Sequence, residues 1–292
     1  MRHLLPIAIA LLALAGCGPK PAGSDADPAL WVLRDADTAI YLFGTVHMLK
    51  PGLSWFDEGV KQAFDKSDSL MLEVVMPGDA EMSALVAELG TQVSGPALPD
   101  LLPAAEAAQL RAALPELGMA ADALDRTEPW LAATSLSSLP LQKLGYEAKQ
   151  GGEAVLTAAA RSAGKTVTGL ETAREQLGYF DALSPAAQRA LLIETIRALP
   201  EAGKALDAAI RAWSNGDSDR IAALINDDVA SSPEVADALL YKRNARWAER
   251  IAARMEQPGT VFVAVGAGHL AGARGVQAEL AKRGLRVERV AY

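Results

Sequence analysis

Residues 260–270 read TVFVAVGAGHL, an apolar run followed by a glycine-containing turn and a histidine. A continuous apolar run of this length is typical of a parallel strand that is covered on both faces. With the residues that follow, the pattern predicts a β-strand at Thr260–Val265, a helix at Ala271–Arg283 and a β-strand at Arg286–Val290. It also places His269 directly beyond the carboxyl end of a strand.

The same arrangement occurs earlier in the chain, where residues 40–47 read IYLFGTVH. Another apolar run at residues 30–33 precedes it, and the polar residues between the two runs predict a β-hairpin. His47 and His269 therefore both follow Gly-x-x-His turns at strand ends, which is where open parallel sheets carry their chemistry. The remaining histidine is His3. The repetition singles out His47 and His269 as a pair.

Two glutamates are predicted at the same level of the sheet. Glu73 lies in an apolar strand predicted at Ser69–Val75, and Glu171 follows a strand predicted at Thr166–Leu170. A carboxylate at such a position is costly to bury unless it is paired, hydrogen-bonded or bound to a cation. The alternatives are that Glu73 pairs with a structural arginine and that Glu171 begins the following helix.

Strands alternate with helical segments along the chain, which predicts an α/β protein with a mostly parallel central sheet flanked by helices. Residues 79–150 are rich in alanine and leucine and are repeatedly broken by proline. This composition predicts several short helices that form an insertion over one end of the sheet.

Two imidazoles with one or two carboxylates form a suitable ligand set for a divalent metal with open positions for water. The metal would lower the pKa of that water, and a free carboxylate would act as general base. The sequence thus predicts His47, His269 and Glu73 as ligands, with Glu73 alternatively the base and Glu171 in a supporting role. The competing interpretation is that each histidine is an ordinary buried residue.

Arg243 and Asn244 lie on a predicted helix face that they share with Trp247. Arg243 could offer a cation to a substrate carboxylate or to an oxyanion. A solvated or salt-bridged helix face is the more common setting of such residues. Two weaker candidates of the same kind are Gln176 and Tyr146.

The first residues are typical of a lipoprotein signal peptide at residues 1–16, with an apolar stretch at Leu4–Leu14 and a small-residue box before Cys17. Lipidation of Cys17, the only cysteine, would anchor the chain to a lipid bilayer. The alternative is an ordinary secretory leader in which Cys17 has no role. Gly18 after the cysteine favours the periplasmic face of the outer membrane over the inner membrane.

Residues 17–28 are rich in proline, glycine, serine and aspartate and predict a flexible tether, which leaves 29–292 as the folded domain. A single cysteine excludes a disulfide within the chain. The net charge of −8 lacks the basic surface that a nucleic-acid partner requires.

A motif that suggests a different function occurs in the last β-α-β unit. Residues 266–271, GAGHLA, fit the glycine pattern of a dinucleotide-binding loop, and Glu288 stands where a ribose-binding acid would be. Only four residues follow Glu288, so the rest of a mononucleotide-binding half is missing downstream. An exported protein also has little access to nicotinamide cofactors, and we therefore reject this interpretation.

Several short motifs in a fixed order resemble the TraB/PrgY/GumN family, which includes the Tiki proteins that cleave Wnt ligands. The matching pieces are LFGTVH at 42–47, LMLE at 70–73, GYE at 145–147, GLET at 169–172 with Gln176, YKRN at 241–244 and VGAGHL at 265–270. The family is similar in fold to erythromycin esterases and to ChaN-like haem-binding lipoproteins. This similarity implies a parallel-type sheet with the site between two related halves.

The resemblance implies a metal-dependent hydrolase that uses a manganese- or cobalt-type ion, with zinc as a further candidate, and a protease in the Tiki branch. Glu153, in QGGE at 150–153, stands where the family pattern has a Gly-x-Asp, so the role of this position stays open.

Together these features predict an exported lipoprotein with a metal-dependent hydrolase centre that acts on a peptide or a small molecule. The alternative is a non-catalytic lipoprotein that binds a peptide, a tetrapyrrole such as haem, or a metal in the same crevice. A structural envelope protein with a decayed site is a third interpretation. The sequence predicts no oligomeric state.

Overall fold

A computed structural model describes residues 24–226 and 232–292, so the predicted signal peptide and Cys17 lie outside the described residues. The strands are β1 Ser24–Asp25, β2 Leu30–Arg34, β3 Thr38–Thr45, β4 Leu53–Ser54, β5 Ser69–Val74, β6 Thr166–Glu171, β7 Gly259–Gly266 and β8 Glu288–Arg289. Six of them form one sheet in the order β6-β5-β7-β3-β2-β8, and β1 pairs with β4.

The central sheet is mostly parallel, as predicted. β6, β5, β7 and β3 are parallel neighbours, and β2 is antiparallel to both β3 and β8. The predicted hairpin is formed by β2 and β3, with Leu30 opposite Phe43. β7 and β8 run in the same direction but are separated by β3 and β2, so the closing β-α-β unit crosses the sheet instead of joining neighbouring strands.

Helices flank the sheet, which confirms the predicted α/β architecture. They are α1 Glu58–Lys66, α2 Asp79–Gly90, α3 Ala104–Glu116, α4 Pro129–Lys143, α5 Gly152–Ser162, α6 Ala173–Asp181, α7 Pro185–Ala198, α8 Ala202–Ser214, α9 Ser218–Ile221, α10 Pro233–Ala236, α11 Lys242–Met255 and α12 Val276–Ala281. The helix predicted at Ala271–Arg283 is shorter than expected. Gly272 has a φ of 75°, a left-handed conformation that a helix does not contain, so α12 begins only after it.

Both faces of the sheet are buried, which explains the uninterrupted apolar runs. On β7, Phe262 packs with Phe43 and Phe64 on one face. Val263, the next residue along the strand, packs on the other face against Trp247 of α11. Successive side chains of a strand point to opposite faces. When both faces are covered, every position of the strand is buried and favours an apolar residue.

The segment predicted as a helical insertion has its own apolar cluster. Leu110 of α3 and Leu136 of α4 pack there with Leu192 of α7. At the start of the described chain, Ser24–Asp25 pairs with β4 and Ala26 is buried. The ordered body therefore extends into the segment predicted as a tether. Among the described residues, no helix is both long enough and apolar enough to cross a membrane.

Candidate functional site

The two Gly-x-x-His turns leave neighbouring strands at the same level of the sheet. β3 and β7 are paired in parallel up to their carboxyl ends. His47 follows β3, and His269 lies on a short 3-10 turn at Ala267–Leu270 after β7. A Cβ on Gly44 would lie 3.0 Å from the Cα of Ala267, so the glycine that opens one turn allows the other turn to pack directly against it.

Side-chain atoms of the three predicted metal ligands lie near one point beside Gly266. Glu73 lies on β5, the other neighbour of β7, and its Oε1 accepts a hydrogen bond of 2.6 Å from the backbone N–H of Gly266. A Cβ built on Gly266 would lie 3.1 Å from Glu73 Oε1, 3.6 Å from His269 Cδ2 and 3.9 Å from His47 Nε2. Residues that are more than 200 positions apart in sequence thus converge on the space that this glycine leaves open.

Arg243 of α11 connects the two glutamates. Its Nη2 donates to Glu73 Oε2 at 2.9 Å, and its Nε donates to Glu171 Oε1 at 3.0 Å. Trp247 Nε1 donates to Glu171 Oε2 at 3.1 Å, and Gln176 Nε2 donates to Glu73 Oε2 at 3.2 Å. Arg243 therefore belongs to a buried ion network and not to a solvated helix face.

His269 is held as a neutral ring with a fixed tautomer. Its Nδ1 lies 2.6 Å from Asn244 Oδ1, and Asn244 Nδ2 donates to the carbonyl oxygen of Arg274 at 2.9 Å. Because the amide nitrogen is engaged there, Oδ1 accepts from the Nδ1–H of His269 and leaves Nε2 as an acceptor. Arg243 Nη1 lies 3.2 Å from that Nε2. Burial lowers the pKa of His269 to about 4.

His47 lies on the open side of the network. Its side chain is 71% exposed, whereas those of Glu73 and Arg243 are 8% and 7% exposed. Its Nδ1 is 2.8 Å from Glu153 Oε1, and the negative charge of Glu153 raises the pKa of His47 to about 9. A molecule that approaches from solvent therefore meets His47 before the buried groups.

Glu73 is ionised at neutral pH. Burial alone would raise the pKa of its carboxyl, but the neighbouring His269, Arg243 and His47, with the N–H of Gly266, outweigh burial and lower the pKa to about 2. A carboxylate with so low a pKa is a poor proton acceptor near pH 7.

Not every predicted residue joins the network. Gln176 and Asn244 do, as described above. Tyr146 is buried, but its hydroxyl donates to Asp207 and its ring lies 4.5 Å from Lys50 Nζ, so its contacts are with a different group of residues. Burial and Asp207 raise the pKa of Tyr146.

Sequence reasoning did not assign two residues that the structure brings to the site. The sequence places Trp247 only on a helix face, yet its indole N–H donates to Glu171. The sequence marks Glu153 only as a departure from a family pattern and gives no indication of its contact with His47. The available signal was the Gly-Gly pair before Glu153, which allows a close approach of two backbones.

The spacing of these groups is not that of a preformed metal cage. Within residues 24–226 and 232–292, no three or more histidine, cysteine, aspartate or glutamate side chains are placed so that they could hold one ion. The nitrogen and oxygen donors converge, but Arg243 lies between the glutamates and beside His269.

The fold and the site define a mixed α/β protein with a cluster of charged side chains at the carboxyl ends of its parallel strands. The sequence profile of the TraB/PrgY/gumN family matches residues 29–289, and the chain belongs to this family. It is also similar to an uncharacterized protein of Treponema pallidum (strain Nichols), with 25% identity over 278 residues that cover 87% of this chain and 80% of that protein. No solved structure matches the chain.

Proposed function

We propose that the chain is a metal-dependent hydrolase that acts on peptides and that His47, His269 and Glu73 hold its metal. One observation carries the proposal: side chains of both Gly-x-x-His turns and of the acidic strand end come within 4 Å of one point beside Gly266. Two imidazole nitrogens and one carboxylate leave coordination positions for water and substrate.

The chemistry of the donor set fits a divalent cation. Both histidines have Nδ1 against an oxygen, Glu153 for His47 and Asn244 for His269, so Nε2 is the ring nitrogen that each would offer a metal. A metal on His269 Nε2 would replace the contact of 3.2 Å that this atom makes with Arg243 Nη1. Histidines that bind metals are typically oriented by such a partner on the other ring nitrogen. When bound, the metal would supply an activated water and polarise a substrate carbonyl.

The charge of the crevice also supports a bound cation. Arg243 pairs with two buried carboxylates, those of Glu73 and Glu171, and the partly exposed Glu153 pairs with His47. Buried carboxylates in excess of their cations are costly unless another positive charge compensates them. A proton on His47 compensates in part, and a divalent ion would compensate more fully.

The remaining residues have roles that follow from their contacts. Glu171 accepts from Arg243 and Trp247, so it fixes the guanidinium and is not free to act as a base. Arg243 would thereby hold a cation beside the proposed ligands, where it can stabilise negative charge that develops on a substrate oxygen. His47, which is the exposed member, is the group that a substrate meets first.

The proposal is tested with the purified chain, its bound metals removed by a chelator and then replaced by Mn²⁺, Co²⁺ or Zn²⁺. Hydrolysis of a mixed peptide library is followed by mass spectrometry. We expect cleavage that depends on the added metal and falls by about 100-fold or more in the His47→Ala, His269→Ala double variant. The control is Glu201→Gln, an exposed carboxylate that pairs only with Lys204 among the ion pairs of the described residues.

The same experiment separates the alternatives. Cleavage that persists in the double variant would remove the proposed active site. Binding of metal, peptide or haem that needs both histidines but leads to no cleavage would favour a non-catalytic binding protein.

We also propose that the chain is exported and anchored at the periplasmic face of the outer membrane through a lipid on Cys17. The leader sequence and the single cysteine support this proposal. Mass spectrometry of the amino-terminal peptide from cells should give a diacylated or triacylated Cys17, and Cys17→Ser should remove the lipid. An unmodified amino terminus at Cys17 would contradict it.

A further inference from the structure

A pair of glycines brings the start of α5 against the turn that carries His47. A Cβ on Gly151 would lie 2.0 Å from the carbonyl oxygen of His47, and one on Gly152 would lie 2.7 Å from Thr45 Cγ2. The N–H of Gly152 donates to the carbonyl oxygen of Val46 at 3.0 Å. No larger residue fits at either glycine without a shift of backbone, so the pair fixes the distance between the helix and the turn.

This contact places Glu153, in the first turn of α5, directly beside the imidazole. Glu153 Oε1 lies 2.8 Å from His47 Nδ1 and also accepts from Thr45 Oγ1 at 2.5 Å. A carboxylate only accepts, so the Nδ1 that faces it carries a hydrogen. Thr45 in turn restricts the carboxylate of Glu153, because Thr45 Oγ1 and His47 Nδ1 both donate to the same oxygen, Oε1.

The two histidines of the site are held in different ways. His269 is buried, its ring centroid 4.4 Å from that of Trp247, so packing restricts its rotation in addition to the hydrogen bond with Asn244. The side chain of His47 is 71% exposed and has no such packing. An exposed ring turns freely about its last torsion unless a hydrogen bond holds it.

We propose that Glu153 is a positioning residue: it fixes the ring of His47 so that Nε2 faces the space beside Gly266. The inference deepens the proposed metal site and rests on it for its functional consequence. Its structural content, a hydrogen bond that orients one exposed imidazole, does not depend on whether a metal binds.

The test uses the full-length chain, purified in detergent and labelled with ¹⁵N-histidine, without added metal. The readout is the downfield Nδ1–H proton of His47, which is assigned by its loss in His47→Gln. We expect the signal in the wild type and in Glu153→Gln, whose amide oxygen still accepts, and its loss in Glu153→Ala. Asn244→Ala should leave it unchanged, because Asn244 contacts only the other histidine.

Persistence of the signal in Glu153→Ala would overturn the inference. If Glu153→Ala does not fold, Glu153→Asp tests the inference instead. Aspartate keeps the negative charge, but its side chain is one methylene too short to reach both His47 and Thr45. Retention of the signal in Glu153→Asp would then overturn the inference, and its loss would support it.

A second measurement ties the contact to the site. Mn²⁺ titration by calorimetry should show an affinity about 10- to 100-fold lower in Glu153→Ala, with rescue in Glu153→Gln to within a few-fold of the wild type. A wild type that binds no Mn²⁺ would remove the proposed function and leave the proton signal to test the positioning role. An unchanged affinity in Glu153→Ala would contradict the positioning role and leave the proposed function intact.

Discussion

Replacement of Gly266 by alanine tests whether the space between the three proposed ligands is the binding site. The backbone at Gly266 has φ −52° and ψ 136°, which alanine adopts without strain. The added methyl would lie 3.1 Å from Glu73 Oε1, a contact that small side-chain movements relieve. Alanine also lowers the entropy of the unfolded chain, so we expect the free energy of unfolding to change by about 1 kcal/mol or less.

The effect on binding should be much larger than the effect on folding. The methyl would occupy the point that lies within 4 Å of atoms of Glu73, His269 and His47, while the chemical identity of all three side chains is unchanged. We expect the affinity for Mn²⁺ to fall by about 100-fold, which corresponds to about 2.7 kcal/mol of binding free energy. Metal-dependent peptide cleavage should fall with it.

Calorimetric Mn²⁺ titration and urea unfolding of the same preparations measure the two quantities. The matched control is Gly78→Ala, because Gly78 has a similar backbone, φ −63° and ψ 158°, and open space where the methyl would go. Gly78→Ala should bind Mn²⁺ like the wild type. A Gly266→Ala protein that folds, binds Mn²⁺ and cleaves peptides like the wild type would refute the proposed position of the site.

Three further predictions follow from the contacts. Arg243→Met leaves Glu73 and Glu171 buried without their cation and should lower the free energy of unfolding by about 3–5 kcal/mol; a loss under about 1 kcal/mol in urea would contradict the ion network. Gly151→Ala forces a methyl against the carbonyl oxygen of His47 and should cost about 1–3 kcal/mol; an unchanged unfolding midpoint would show that the helix and the turn are not in contact. The metal-free chain should lose stability in acid: the folded pKa of Glu73 is about 2 and its ordinary value is 4.5, so this contribution is complete above pH 4.5 and is lost as the pH falls towards 2. Glu73→Gln should flatten that part of a stability–pH curve, and an equally steep curve would contradict the assignment.

The sequence predicted the level of the sheet at which the site lies, for a physical reason. The apolar runs before His47 and His269 are typical of strands buried on both faces, and parallel strands end at one edge of their sheet. The two histidines and Glu73 were therefore expected together before any tertiary contact was known. Glu171 was expected at the same edge, because it lies at the carboxyl end of another parallel strand, β6.

Other features depended on contacts that local patterns do not encode. The helical spacing of Arg243 and Trp247 defines a common face but not its partner, and a solvated or salt-bridged face is the usual expectation. The face is buried because β6 brings Glu171 against it. In the same way, the contact between Glu153 and His47 exists only because α5 packs on a turn more than a hundred residues earlier.

Element boundaries were less predictable than element types. The closing helix was expected at Ala271–Arg283 from its apolar spacing, but the left-handed conformation of Gly272 delays its start to Val276. The strand order was also beyond sequence reasoning, since nothing local determines that β8 pairs with β2. Tyr146 fitted a family motif, yet its side chain contacts Asp207 instead of the glutamates.

The most direct test of the metal site is a paramagnetic one. Co²⁺ is added to the chelated, ¹⁵N-histidine-labelled chain, and the ring signals of its histidines are recorded by NMR. Binding at the proposed site predicts large paramagnetic shifts for both His47 and His269 at one equivalent of Co²⁺. Stoichiometric Co²⁺ binding that leaves either ring unshifted would contradict a shared metal between the two Gly-x-x-His turns.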